Sequence, residues 1–383
     1  MSGRRFAVIT GGGTGGHVSP ALAIGEALVA SGRRSEEIGF VGSTRGLEAR
    51  LVPAAGFPLE LLPGRGLERR ISLQNLGALG GLGLAVLAAL RLAHRDRPRV
   101  VVTVGGFAGF PYALAAIALR IPLLVVNVDA VPGAANRAVA PFAAAAAVAF
   151  PGTPLPRATV TGPPVRAAVL AVSRSADERR ATRLRIGIEP ARRLVVVTGG
   201  SLGARTLNEA ALGLAELWRS RSDLAVYHVA GERNLGEVQA AASARGLFRG
   251  GGGLDYRLVG FDPELVAVLG ACDLAVCRAG ASTVAELTAI GVPSVLVPLP
   301  GAPGDHQTRN AQALERAGAA KLVPDGALEP RLLASLLEEC WGSRDRLAAM
   351  EQAARGLGRR DAAERIAEMA SELATRPGRR RSG

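Results

Sequence analysis

The sequence predicts an α/β protein with two Rossmann-like, doubly wound domains. Three observations support this prediction. The chain has 383 residues, which is long for one ordinary domain and sufficient for two. Near its start an apolar strand is followed by a glycine-rich loop and an Ala/Leu-rich helix. The same strand, loop and helix return in the second half of the chain.

The repeated unit can be followed residue by residue. Phe6 to Thr10 (FAVIT) precedes GGGTGGH and SPALAIGEAL, and Leu194 to Thr198 (LVVVT) precedes GGSLGART and LNEAALGLAELW. Similar units begin at Val100 and Cys272. Apolar strands that alternate with helices are typical of parallel sheets covered on both faces. We therefore expect two such sheets that face a common cleft.

Prolines and charges interrupt the pattern in the middle of the chain, so we place the hinge near Pro163 and Pro164. The predicted domains are residues 1–163 and 164–345. Residues 346–383 read as a C-terminal helix that returns to the first domain, followed by a basic tail.

Composition narrows the function classes. Aromatic residues make up only 4%, which argues against recognition by ring stacking. The net charge of +13 would suit nucleic acid, but the arginines are scattered and no binding module is readable, so we expect no nucleic-acid partner. The three cysteines have neither disulfide nor metal spacing, which fits a reducing compartment, and we expect no signal peptide.

One long uncharged run, Ile71 to Leu90, admits three interpretations: a transmembrane span, a buried helix, or a patch that lies on a membrane surface. Its glycines and polar Gln74 and Asn75 weaken the first. We favour the surface patch, because cations that suit anionic headgroups border the run: Arg65, Arg69, Arg70 and Arg91.

The two glycine loops indicate the chemistry. A glycine loop between a strand and a helix offers bare backbone N–H groups and the positive end of the helix dipole, which together suit a diphosphate. GGGTGGH does not have the glycine spacing of an NAD fingerprint, so we disfavour an NAD enzyme.

Seven blocks in order carry a specific resemblance: GGGTGGHVSPALAIGEAL, TVGGFAGFP, AVPGAANR, TGPPVR, GGSLGARTLN, CRAGASTVAEL and GDHQTRNA. Together they resemble glycosyltransferase family 28, in particular its members that move N-acetylglucosamine from UDP-GlcNAc to lipid I. The resemblance implies the glycosyltransferase-B fold, inverting transfer to the C4 hydroxyl of MurNAc to give lipid II, a donor site mainly in the second domain and an acceptor site in the first. It also implies a peripheral protein at the cytoplasmic face of the cell membrane.

The resemblance also implies roles for particular residues. Thr14, Gly15 and Gly16 would lie at the diphosphates, and Arg166 and Ser201 would approach the donor. Asp262 would lie near uracil at a backbone position, Glu286 would take the ribose hydroxyls, and His306 and Gln307 would read the sugar. The turn that wraps the nucleotide would be Ala281, Ser282, Thr283, Val284, Ala285 and Glu286.

Each assignment has a structural alternative. Thr283 and Glu286 form T-x-x-E, which on its own predicts a helix capping box. Ser201 could be a helix N-cap, and Arg166 a solvated hinge residue.

His17 has the most consequential role in this interpretation. It could remove the proton from the attacking C4 hydroxyl, position substrate, or merely cap the helix or fill a gap. We expect it to be the catalytic base.

One segment departs from the family. Where the usual pattern resembles HEQNAVPGLANR this chain has VNVDAVPGAANR, so Asp129 replaces an asparagine of the substrate cleft. A carboxylate cannot donate an amide N–H, and its charge disfavours a neighbouring diphosphate. The departure leaves open the acceptor preference and even activity, so two alternatives remain: a related transferase with another lipid acceptor, and a UDP-sugar-binding protein without catalysis. An isomerase like UDP-GlcNAc 2-epimerase would share the architecture.

We expect no cofactor and no obligatory metal, since helix dipoles and arginine can stabilise the leaving UDP.

Overall fold

A computed structural model describes residues 4–12, 15–44, 46–63, 73–248 and 252–375. Two compact units divide the chain, one formed by the described residues of Met1–Ala167 and Arg359–Gly383, the other by Ala168–Gly358. Each unit contains one sheet in which every recorded strand pair is parallel. The predicted α/β architecture with two Rossmann-like units is confirmed.

The first unit contains a seven-stranded sheet of order β3-β2-β1-β4-β5-β6-β7. Its strands are β1 Ala7–Gly11, β2 Ile38–Ser43, β3 Leu59–Leu62, β4 Val100–Gly105, β5 Leu123–Asn127, β6 Ala145–Val148 and β7 Ala158–Val160. Its helices are α1 Gly15–Ala30, α2 Glu48–Ala54, α3 Leu73–Asp96, α4 Gly106–Ala118 and α5 Ala134–Val139. The short helix α6, Ala167–Leu170, begins at the last residue of this segment.

The second unit contains a six-stranded sheet of order β10-β9-β8-β11-β12-β13. Its strands are β8 Arg193–Thr198, β9 Leu224–Val229, β10 Asp255–Val259, β11 Leu274–Cys277, β12 Ser294–Leu296 and β13 Ala320–Leu322. Its helices are α7 Ala176–Arg185, α8 Arg205–Leu217, α9 Leu235–Ala244, α10 Leu265–Ala271, α11 Ala281–Ile290, α12 His306–Arg316, α13 Pro330–Cys340 and α14 Arg344–Leu357.

The central strands β4 and β8 are buried, apart from the exposed Arg193 at the start of β8, as their apolar sequences VVVTVG and LVVVT require. A run of β-branched residues fits a strand that has helices on both faces. The strand order reverses direction at β1 and β4 in the first sheet, and at β8 and β11 in the second. Ligands of such sheets bind outside the carboxyl ends of the strands beside this reversal.

The end of the chain divides between the two units. Helix α14 packs on α11 in the second unit, whereas the last helix, α15 (Ala362–Thr375), packs on α1 in the first. Residue 346, where we expected the returning segment to begin, therefore lies inside a helix of the second unit. The chain enters the first unit again only at Arg359, and the basic tail beyond residue 375 lies outside the described residues.

The uncharged run forms most of helix α3. Its buried face includes Ala85, Ala89 and Ala93, which pack in the core of the first unit, while Leu84 and Leu87 are 64% and 53% exposed. The helix is therefore neither wholly buried nor wholly exposed. Among the described residues, no helix has the length and apolar character that crossing a membrane requires. The bordering residues Arg65, Arg69 and Arg70 lie outside the described residues.

Candidate functional site

The predicted donor residues of the second unit follow strands of one sheet. Ser201 follows β8, Asp262 follows β10, the segment Ala281–Glu286 follows β11, and Gln307 follows β12. Because parallel strands end at the same edge, the fold brings these residues to the carboxyl edge of the second sheet. Sequence spacing alone does not reveal this, since more than half of the unit separates the first residue from the last.

The loop after β8 runs through Gly199–Gly203. The Thr198 hydroxyl accepts a hydrogen bond from the backbone N–H of Gly200 at 3.2 Å. Gly200 and Gly203 both have positive φ, at 81° and 71°, which glycine adopts without strain. Ser201 is exposed at the tip of the loop. Since α8 begins at Arg205 with Ala204 as its N-cap, the alternative that Ser201 caps this helix is wrong.

Helix α11 begins at Ala281 with Gly280 as its N-cap. Thr283 is therefore the third residue of the helix, and the capping-box interpretation of Thr283 and Glu286 is wrong. The first-turn N–H groups of a helix have no acceptor within the helix, so this N-terminus points a positive dipole end out of the carboxyl edge.

Two side chains, the partly buried Arg278 and the buried Asn310, fix the turn that leads into α11. Arg278 donates to the carbonyl oxygens of Val297 and Pro298, each at 3.2 Å, and pairs with Asp325. Asn310 donates to the carbonyl oxygen of Ala279 at 3.1 Å. The loops after β11, β12 and β13 are therefore tied together. The motifs did not single out Arg278 or Asn310, although both lie inside blocks that carried the resemblance.

Glu286 lies half-buried on α11, and no hydrogen bond or ion pair of its carboxylate is recorded within the described part of the chain. Burial raises the pKa of Glu286 to about 7, because the charged form loses hydration without gaining a partner. A carboxylate held in this way is ready to accept hydrogen bonds from hydroxyl groups of a ligand.

Gln307 and His306 begin helix α12. The amide oxygen of Gln307 accepts a hydrogen bond from the N–H of Leu299 at 2.9 Å, and its amide nitrogen lies 3.9 Å from the point that a Cβ on Gly280 would occupy. Gln307 therefore lies beside the start of α11. The Nδ1 atom of His306 lies 2.8 Å from the carbonyl oxygen of Pro303, inside its own turn.

The carboxylate of Asp262 is engaged within the protein. The hydroxyl of Tyr227 donates to its Oδ2 and the N–H of Glu264 donates to its Oδ1, both at 2.8 Å. These bonds fix the turn after β10 and leave the backbone at residue 262 as the part that a ligand could meet, which is the role that the family resemblance implies.

The predicted acceptor residues of the first unit lie around the loop after β1. Gly16 and His17 are in the first turn of α1, while Thr14 lies outside the described residues. Gly106, which follows β4, has a φ of 77°, and a Cβ on it would lie 2.7 Å from the carbonyl oxygen of Gly12 and 3.6 Å from Cγ of His17. The loops after β1 and β4 thus pack backbone against backbone beside the imidazole.

The segment that departs from the family lies at the end of β5. The amide of Asn127 donates to the carbonyl oxygen of Asp129 at 2.6 Å. Asn136 on α5 donates to the carbonyl oxygen of Val126 at 3.1 Å and to Oδ1 of Asn127 at 3.2 Å. The replaced residue Asn127 is therefore part of a buried amide network, which holds the backbone of Asp129 in place at the carboxyl edge.

A buried carboxylate that the sequence analysis missed faces the first glycine loop. Glu48 on α2 is 1% exposed and accepts hydrogen bonds from the N–H of Ser43 at 2.8 Å and from its hydroxyl at 3.0 Å. A Cβ on Gly12 would lie 2.3 Å from Oε1 of Glu48. The sequence feature that could have indicated Glu48 is its position soon after the apolar strand β2, at the start of another helix.

Arg166 is bonded within the first unit. Its guanidinium pairs with Glu26 on α1 at 2.7 Å, and Glu26 also accepts the N–H of Ala167 at 3.0 Å. The alternative of a merely solvated hinge residue is therefore wrong. Within the described ranges, no group of three or more His, Cys, Asp or Glu residues is arranged to hold a metal ion.

The raised pKa of Glu286 predicts a change in stability with pH. As pH rises above about 4.5, the carboxyl group ionises in the unfolded chain first, so the free energy of unfolding falls until about pH 7 and then levels off. Glu286→Gln removes this titration. Relative to wild type, the variant should gain about 2 kcal/mol between pH 5 and pH 8 in urea unfolding.

The matched control is Glu329→Gln, which replaces an exposed carboxylate whose side chain makes no cap hydrogen bond at the start of α13. Its unfolding free energy should track that of wild type at both pH values. Parallel curves for Glu286→Gln and wild type would contradict a buried, unpaired carboxyl group.

Comparisons with known proteins agree with this geometry. Residues 7–148 match the glycosyltransferase family 28 N-terminal domain and residues 194–366 match the C-terminal domain. Two relatives are each named UDP-N-acetylglucosamine--N-acetylmuramyl-(pentapeptide) pyrophosphoryl-undecaprenol N-acetylglucosamine transferase. That of Alkalilimnicola ehrlichii is 43% identical and that of Desulforudis audaxviator is 37% identical, each over 96% of this chain and 98% of the relative.

A solved structure gives the same result. The crystal structure of MurG from Acinetobacter baumannii has a TM-score of 0.73 and 27% identity, and covers 96% of this chain and 99% of that one. Both halves of the family therefore match, in order and over almost the whole chain. The chain belongs to glycosyltransferase family 28, and it is a hexosyltransferase.

Proposed function

We propose that this chain transfers N-acetylglucosamine from UDP-GlcNAc, with inversion, to the C4 hydroxyl of MurNAc in lipid I, so that lipid II and UDP are formed. The observation that carries the proposal is whole-length identity of 37–43% with transferases named for this reaction. The site adds physical support, because two glycine loops and two helix N-termini suit diphosphate groups.

In this proposal the donor binds at the carboxyl edge of the second sheet. The N-terminus of α11 and the glycine loop with Ser201 take the diphosphate, and Thr283 belongs to the turn around the nucleotide. Glu286 accepts the ribose hydroxyls, and the absence of a hydrogen-bond or ion-pair partner for its carboxylate among the described residues favours that role. The residue-262 backbone meets uracil, while His306 and Gln307 read the sugar.

The acceptor binds at the carboxyl edge of the first sheet, where Thr14, Gly15 and Gly16 meet a diphosphate. His17 removes the proton from the C4 hydroxyl as its oxygen bonds to the anomeric carbon, and the bond from that carbon to UDP breaks. The helix dipoles and Arg166 stabilise the charge on the leaving UDP.

A transfer assay tests the reaction directly. Purified chain is incubated with UDP-GlcNAc and a soluble lipid I analogue, with and without a chelator. We expect UDP release that needs the acceptor and is unchanged by the chelator. Donor consumption without acceptor would indicate an isomerase, and UDP binding without release would indicate a non-catalytic binding protein. Transfer to a diacylglycerol but not to the lipid I analogue would indicate the related lipid transferase.

The base assignment predicts that His17→Ala lowers kcat by about 10² to 10⁴, because the hydroxyl proton then has no positioned acceptor. The affinity for UDP, measured by calorimetry, should stay the same. His94→Ala, which changes an exposed histidine near the end of α3, is the matched control and should keep normal turnover. Near-normal kcat in His17→Ala would remove this residue from the chemistry.

We also propose that the protein is peripheral and binds the cytoplasmic face of the membrane through α3. The exposed side chains Leu84 and Leu87 lie on one face of this helix, and Arg91 is exposed on the same side one turn later. Apolar side chains that insert among lipids, with a neighbouring cation for anionic headgroups, are typical of an interfacial helix. The polyprenyl chain of the proposed acceptor would stay in the bilayer, so the enzyme must come to it.

The membrane proposal predicts binding to vesicles that contain anionic lipid, with release as salt rises, since each arginine contributes about 1 kcal/mol near such a surface. The double variant Leu84→Asp, Leu87→Asp should lose this binding and keep UDP affinity in vesicle sedimentation and calorimetry.

The matched control is Leu184→Asp, Leu332→Asp, which changes two leucines of the second unit that are 56% and 40% exposed. This control should bind vesicles normally. Equal binding by both double variants would contradict the docking role of α3.

A further inference from the structure

A series of buried, hydrogen-bonded polar groups, here called the polar series, lies beneath the glycine loop of the second unit. His228 on β9 is 0% exposed, and its Nδ1 lies 2.8 Å from the hydroxyl of Tyr256 on β10. Its Nε2 lies 3.0 Å from Oδ1 of Asn208 in the first turns of α8. The roles assigned above to donor and acceptor residues make no use of this histidine. Polar groups in a core destabilise it unless each one is bonded, so their presence calls for a physical reason.

The last member of the polar series determines which atom donates and which accepts in each of its hydrogen bonds. The amide of Asn208 lies 3.1 Å from the carbonyl oxygen of Ala230, which can only accept, so Nδ2 faces that carbonyl and Oδ1 faces the imidazole. Nε2 of His228 must then carry the hydrogen, and Nδ1 accepts from Tyr256. Burial lowers the pKa of His228 to about 3, so the imidazole is neutral at neutral pH.

The last member of the polar series lies at the glycine loop. The carbonyl oxygen of Ala230 accepts a second hydrogen bond, from Nδ2 of Asn234 at 3.1 Å, and the same nitrogen lies 3.2 Å from the carbonyl oxygen of Leu202. A Cβ on Gly203 would lie 2.1 Å from the oxygen of Ala230. The loop Gly199–Gly203 therefore packs directly against the carbonyl group of Ala230, which the polar series holds in place.

We propose that His228 is a positioning residue for the donor diphosphate, which acts through Asn208 and Ala230 on the glycine loop Gly199–Gly203 and the first turn of α8. His228 touches no substrate, because it is fully buried. The proposal rests on the proposed donor site. Its physical content is preorganisation: a loop that is held in place binds a diphosphate without first losing conformational freedom.

The test compares two substitutions of one residue. His228→Leu removes both hydrogen bonds, whereas the amide of His228→Gln can donate to Asn208 and accept from Tyr256. In the leucine variant the Kd for UDP and the KM for UDP-GlcNAc should rise about tenfold or more, with kcat at saturating donor changed less. Hydrogen exchange of the peptide groups from 199 to 208 should become faster. The glutamine variant should recover most of both losses.

A core substitution outside the polar series distinguishes a specific effect on the loop from a general loss of stability. Leu337→Ala, at a fully buried site on α13, should lower Tm while it leaves the Kd for UDP and the loop exchange near wild-type values. If His228→Leu behaves in the same way as Leu337→Ala, the proposal is overturned. If His228→Leu does not fold, Tyr256→Phe removes only the hydroxyl, and an unchanged Kd and loop exchange in that variant would overturn it.

The proposed function and this inference fail in different ways. A wild-type chain that binds no UDP would refute the donor site. Loop exchange, measured without ligand, would then still decide whether His228 orders the loop: faster exchange in His228→Leu supports that link, and unchanged exchange overturns it.

Discussion

Close packing of backbone against backbone at glycine positions is the constraint on which both carboxyl edges depend. A Cβ on Gly106 would meet the carbonyl oxygen of Gly12, and a Cβ on Gly203 would meet that of Ala230. Neither clash can be relieved by a rotamer change, because the neighbour is main chain in both cases. The chain segments can approach each other this closely only where side chains are absent.

The two units stabilise their loops with different side chains. In the first, the buried carboxylate of Glu48 faces Gly12, and Asn136 holds the end of β5. In the second, Arg278 and Asn310 fix the turn before α11, and Asn234 bridges two carbonyl oxygens beside the glycine loop. The repeated strand, loop and helix therefore recur in both units, while the side chains that support the loops differ between them.

The replaced segment at β5 illustrates how a departure from a family pattern can be absorbed. The side chain of Asn127 bonds inward, to Asn136 and to the backbone of Asp129, so the network organises the position of residue 129 rather than facing outward. The altered segment therefore keeps a fixed backbone at residue 129.

The sequence by itself determined the architecture. Periodicity predicted β1 and β8 to within a residue at each end, together with the helices that follow them, because a buried parallel strand has to be continuously apolar. The order of the motifs along the chain predicted the family, and it assigned Ser201, Glu286 and Gln307 to one donor site in the second domain. Tertiary structure alone decided which side chains serve these loops. Glu48 on α2 lies beside Gly12, and His228 on β9 is linked to the second loop through Asn208 and the carbonyl oxygen of Ala230. Both come from elements distant in sequence, so spacing along the chain does not reveal them. The same holds for the start of α11: Asn310, on another helix, pins Ala279, so the helix begins at Ala281 and Thr283 cannot be its cap. Local sequence patterns indicate which secondary structures a segment favours. Contacts between segments distant in sequence then decide where each element begins and which side chains support it.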